Sequence, residues 1–115
     1  MKYNPKIVLA YFAECGLPKP ELEYKFHPDR KWRFDFCFRQ NPDDSRYWLA
    51  LEVEGAIWMN PSKQSMGSHV RPKHFVKDME KYNEAAALGY RLIRVEPKDL
   101  CTQDTVNLIK RTLGI

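Results

Sequence analysis

Leu49-Ala50-Leu51-Glu52-Val53-Glu54-Gly55 is an apolar run that ends in two carboxylates and a glycine. Such a run predicts a strand from about Tyr47 to Glu54. Strand side chains alternate between faces. Leu49, Leu51 and Val53 therefore share one face, and Trp48, Ala50, Glu52 and Glu54 share the other. Two carboxylates at i and i+2 on a hydrophobic strand are costly without positive charge between them. A hard divalent cation such as Mg²⁺, which prefers oxygen ligands, supplies that charge. A solvent-facing pair at a strand end is the plainer alternative.

Two further strands are expected upstream. Trp32-Arg33-Phe34-Asp35-Phe36-Cys37-Phe38 alternates strongly, with Trp32, Phe34, Phe36 and Phe38 on one face and Arg33, Asp35 and Cys37 on the other. The turn Asn41-Pro42-Asp43-Asp44-Ser45 is short, so this strand and the next should pair antiparallel. Asp35 then approaches Glu52 and Glu54 if the register joins the polar faces. Glu23-Tyr24-Lys25-Phe26-His27 reads as the first strand, and Glu23 can join the acids from there or stay in solvent. A cluster of three or four carboxylates repels itself without metal. With Mg²⁺ it is a hydrolytic site, in which the metal activates water and stabilises a leaving oxygen.

The helices follow from caps and periodicity. Asn4-Pro5 opens one that Gly16 closes, with Ile7, Val8, Tyr11 and Phe12 inward. A long helix is expected over Lys73 to Leu88, with Phe75, Met79, Tyr82 and Ala86 on its core face. His74, Asp78, Lys81 and Ala85 follow one flank of it. Lys81 can lean over the sheet to orient water or stabilise phosphate charge, or can make an Asp78–Lys81 surface pair worth little. Tyr90 to Val95 is a fourth strand, and Thr102 or Asp104 starts a last helix with Val106, Ile109 and Leu113. The order is α-β-β-β-α-β-α, a mixed sheet flanked by helices in an α/β domain. The loop from about Ala56 to Pro72 is long enough to expect a function. Its Lys63, His69 and Arg71 suit phosphate contact, and the helix N-terminus behind them favours the same anion.

The bulk numbers set limits. A chain of 115 residues is expected to form one domain. Its hydrophobic fraction of 43% is that of a globular protein. Net charge +4 is compatible with a polyanionic partner. No apolar run is long enough to span a membrane, and the N-terminus lacks the apolar core of a secretory signal. Cys15, Cys37 and Cys101 suit neither a disulfide framework nor a zinc site, and are expected as small buried residues in a reducing cytosol.

Together, Arg33-Phe34-Asp35-Phe36, Glu52-Val53-Glu54-Gly55, Gly67-Ser68-His69-Val70-Arg71, Asp78 to Asn83 and Gly89 to Val95 resemble the PD-(D/E)XK nuclease superfamily, in particular its small phage and prophage endonucleases. The resemblance covers about Glu23 to Val95. It implies a restriction-endonuclease-like αβββαβ core and a Mg²⁺-dependent endodeoxyribonuclease, with Mn²⁺ as a substitute ion. It also implies a cytoplasmic place, in a bacterial or phage-infected cell. By position, Asp35 and Glu52 match the metal-binding acids, and Val53 matches the residue whose carbonyl helps hold the metal. Glu23 looks like the extra upstream acid of some relatives. Glu54 stands where the motif has lysine, a change that some active members share. Lys81 could replace that lysine from the helix, which leaves the identity of the general base open. DNA is the implied partner, and a homodimer would provide two sites for two strands. The rival is a nucleic-acid-binding module, or a structural phage component, that keeps the fold without catalysis.

Overall fold

In a computed structural model, described for residues 3–55 and 73–115, a four-stranded sheet runs in the order β1 (Glu21–Lys25), β2 (Arg33–Arg39), β3 (Trp48–Val53), β4 (Arg91–Val95). The first three strands are antiparallel, and β4 lies parallel to β3. Helices α1 (Pro5–Glu14), α2 (Lys73–Ala87), the short α3 (Pro97–Leu100) and α4 (Gln103–Leu113) complete the chain. This is a mixed α/β sheet flanked by helices, as expected. The antiparallel β2–β3 hairpin is also as expected. A 3₁₀ turn at Ser45–Tyr47 and helix α3 are additional to the expected elements.

The sheet carries a core on each face. On the first face, Phe36, Phe38, Leu49, Leu51 and Ile93 meet Val8 and Phe12 of α1, and Val106, Ile109 and Leu113 of α4. On the second, Phe34, Cys37 and Ala50 meet Phe26, Tyr90 and Ala85 of α2. The caps act as the sequence implies: the Asn4 side chain accepts from Lys6 N–H, and the Thr102 side chain from Thr105 N–H.

Several expectations need correction. Ile7 is 63% exposed, because α1 turns only Val8 and Phe12 fully inward. Met79 and Ala86 point to solvent, and Ala85 is the buried residue of α2 among those described. The helix is rotated toward the flank that also carries Lys81, since small Ala85 allows close approach to Phe34 and Tyr90. Cys101 is exposed, although Cys37 is buried as expected. The side chain of Phe75, and the 56–72 loop with Lys63, His69 and Arg71, lie outside the described residues.

The main departure is in β2. Phe34 and Phe36 are two residues apart, yet belong to cores on opposite faces. The alternation therefore breaks at Asp35. The β2–β3 pairing ends at Phe36↔Leu51, one rung short of Asp35. Across the other ladder, Leu22 pairs with Phe36 and Tyr24 with Phe34, which puts Glu23 opposite Asp35. Glu23 is the one non-glycine residue with left-handed backbone among the described residues (φ 48°). Both strands thus leave regular geometry at the same rung, and the sheet forks there.

Candidate active site

The fork releases the Asp35 side chain from the pleat and turns it toward β3. Its Oδ2 accepts the Val53 N–H at 2.8 Å, in the place of a ladder bond. One rung away, Glu52 sits on the second face and is only 6% exposed. It is one of two buried polar residues among those described, the other being Thr105. Lys81 of α2 reaches down to it, with Nζ 2.5 Å from Glu52 Oε1. The ammonium also lies 5.7 Å from the Phe34 ring centre and 5.5 Å from that of Tyr82, which screen it from water. Three elements, β2, β3 and α2, thus bring Asp35, Glu52 and Lys81 to one point.

The electrostatics are unbalanced. Burial first, and then the neighbouring Asp35 carboxylate, push the Glu52 carboxyl up to about 8, against the pull of Lys81. One ammonium does not offset two carboxylates in this desolvated corner. The donor set is oxygen, and the Asp35 and Glu52 carboxyls lie within hydrogen-bond reach of each other. A hard cation with a further share of water or phosphate oxygens fits it, since Mg²⁺ commonly takes only one or two protein carboxylates.

The other expected acids stand apart. Glu54 turns to Arg94 of β4, which binds both its oxygens at 2.8 Å, while Tyr82 donates its hydroxyl to Oε1 at 3.0 Å. The Arg94 bond holds the Glu54 carboxyl below its ordinary range. Glu54 is therefore paired away from Asp35 and Glu52 instead of adding to them. Glu23 is exposed on the rung opposite Asp35. Among the described residues no three His, Cys, Asp or Glu side chains gather as a metal-binding group. In place of the expected cluster of three or four acids stands a pair, because Arg94 lies beside Glu52 in the parallel register and captures Glu54. Lys81 makes no pair with Asp78 among the described contacts; the inward-leaning alternative is the observed one.

No protein-family model, curated protein or solved structure matches this chain.

Three neighbours of the site escaped the sequence reading. Arg94 could be placed only with the β3–β4 register in hand, and Tyr82 read as an ordinary core aromatic. Tyr3, just before the α1 cap, lies in the field of Asp35, Glu23 and Glu52. Burial and then those charges push its phenol up to about 12. Nothing in its local sequence marks it.

Proposed function

We propose that this chain is a Mg²⁺-dependent endodeoxyribonuclease of the PD-(D/E)XK type that hydrolyses DNA phosphodiester bonds. The observation that carries the reading is the meeting of Asp35, Glu52 and Lys81 at the fork between β2 and β3. Asp35 and Glu52 would hold the ion, with the Val53 carbonyl as a further oxygen ligand and Mn²⁺ as a substitute. Mg²⁺ bound there supplies an activated water and stabilises the charge on a leaving oxygen. The chain's own part is positioning. Val53 N–H fixes one Asp35 oxygen and so orients the carboxyl beside Glu52. Lys81 holds one Glu52 oxygen and places positive charge where a phosphate would sit, so it orients the attacking water or stabilises charge on the phosphate. Glu54, locked by Arg94 and Tyr82, ties α2 to the sheet and so holds Lys81 in place. His69, Arg71 and Lys63 contact phosphates from the 56–72 loop, and Glu23 assists at the rim. A homodimer would cut both strands. The partner is DNA in the cytoplasm of a bacterial or phage-infected cell. Among the described residues no helix is long and apolar enough to cross a membrane.

A non-catalytic DNA-binding module has one observation in its favour: Lys81 and Arg94 already pair with Glu52 and Glu54. One assay separates the two readings. Labelled linear, nicked, flapped and four-way DNA is incubated with Mg²⁺, Mn²⁺ or EDTA, using wild type and Asp35→Asn. Asparagine keeps an acceptor for Val53 N–H but loses the charge. Metal-dependent cutting that falls at least ~100-fold in Asp35→Asn, with a thermal midpoint within a few degrees of wild type, supports the nuclease. Cutting that persists in Asp35→Asn overturns the residue assignment. Binding without cutting favours the module.

A further inference from the structure

A second charged feature stands at the other end of the sheet. Arg46 in the 3₁₀ turn before β3, Arg91 at the start of β4 and Arg111 in the last turn of α4 line one cleft, with Tyr47 and Thr112 between them. Among the described residues no carboxylate lines it. All three arginines are exposed. Arg46 directs Nε and one terminal nitrogen at Asp44, which lies outside the cleft lining. Arg91 donates from one nitrogen to the Thr112 carbonyl at 2.6 Å. Arg111 has no hydrogen-bond or ion-pair partner among the described residues.

The end of α4 accounts for only part of this. A helix C-terminus favours nearby cations, and Arg91 on a terminal carbonyl satisfies that preference. Arg46 comes from a different element and is brought in by the fold. Asp44 already offsets Arg46, but Arg91 and Arg111 have no carboxylate partner among the described residues, and planar guanidinium forks suit phosphate oxygens. The cleft lies at a different level of the sheet from the acids. Leu49 pairs with Arg91 and Glu52 with Arg94, so three residues separate the two levels. At ~3.3 Å per residue this is about 10 Å. Arg91 shares the face of β4 that turns Ile93 and Val95 to the first core, whereas Arg94 and Glu52 lie on the second face, so the cleft and the acids are on opposite sides of the sheet.

We propose that the cleft between Arg46, Arg91 and Arg111 is a second phosphate-binding site. It holds a stretch of DNA backbone on the α4 side of the sheet, separate from the bond placed at Asp35 and Glu52. The proposal rests on the reading of this chain as a DNA-acting protein. Its test is binding, measured apart from cleavage. Fluorescence anisotropy with a labelled 20-bp duplex in EDTA, across 50–300 mM salt, compares wild type with Arg46→Ala, Arg111→Ala and Arg111→Lys. Lys19→Ala, exposed just before β1 at the opposite edge of the sheet, is the control. Each alanine variant is expected to weaken binding about fivefold to tenfold at low salt and to reduce the slope of log K against log salt by about 0.9. Arg111→Lys should keep the slope, and Lys19→Ala should change neither quantity. Wild-type slopes in both alanine variants would overturn the site, and so would an equal loss in Lys19→Ala. If the wild type cuts DNA while Arg111→Ala binds like it, this site alone falls. If the wild type neither binds nor cuts DNA, this site and the nuclease reading fall together.

Discussion

Glu52 is the residue where structure and chemistry pull hardest against each other. An alanine or valine would pack there at no electrostatic cost, but the position holds an acid with a side chain only 7% exposed. Lys81 is the partner that makes this tolerable. Removing one member of a buried pair leaves an uncompensated charge, which typically costs ~3–5 kcal/mol. Here the acid can take up a proton instead, so the cost of Lys81→Met should be about 2–4 kcal/mol at pH 8 and smaller at pH 5.5. The wild type carries a pH trend of its own. Glu52 keeps its proton up to about 8 in the fold, against an ordinary glutamate value of 4.5. Between those values the unfolded chain binds fewer protons than the native one, so this group makes stability fall as pH rises through that window. Urea denaturation in EDTA at pH 5.5 and pH 8 measures both effects. An equal difference between the two pH values in wild type and Lys81→Met would show that the pair does not set this dependence.

At the scale of elements, α4 and α2 are held to the sheet by different forces. Helix α4 buries Val106, Ile109 and Leu113 in the first core. Helix α2 buries Ala85, while Val76 and Met79 are 42% and 45% exposed. Its other ties among the described residues are polar: Lys81 to Glu52, Tyr82 to Glu54, Glu84 to His27 and Glu80 to Arg30. Those involving the exposed Glu80 and Glu84 are worth little individually. Local stability follows buried apolar contact, so amides of Met79–Ala86 should exchange at least ~10-fold faster than those of Val106 and Ile109. Native-state hydrogen exchange tests this, and slower exchange in α2 would mean that the polar ties dominate. The consequence for the site is direct. Among the described residues, Lys81 rides on the helix with fewer buried apolar contacts, and Glu54 with Arg94 and Tyr82 is a polar tie that holds that helix near Glu52.

At the scale of the molecule, one sheet is shared by both cores. Phe36 and Phe34 are neighbours on β2 but serve opposite faces, and Leu51 and Ala50 do the same on β3. A defect in either core must therefore loosen the common sheet. Ile109→Ala, which opens a cavity at a fully buried position of the first core, should cost ~2–5 kcal/mol. It should lower one cooperative transition. Far-UV circular dichroism and fluorescence should move together, because Trp32 and Trp48 report on the second core. Separate midpoints for the two signals would show that the faces unfold independently.

The order of the four strands and three longer helices, the Asn4 cap, the antiparallel β2–β3 hairpin, the face assignment of β3 and the candidacy of Asp35, Glu52 and Lys81 were legible in the chain itself. They depend on local rules: a period of 2 or 3.6, a capping side chain, a short turn, or a carboxylate out of place on an apolar strand. The break in β2 at Asp35, the rotation of α2 onto Ala85, the capture of Glu54 by Arg94 and Tyr82, and the gathering of Arg46, Arg91 and Arg111 were not. Each depends on which strand lies beside which and in what register. Residues far apart in sequence then share one desolvated volume, and no spacing along the chain encodes their charge balance.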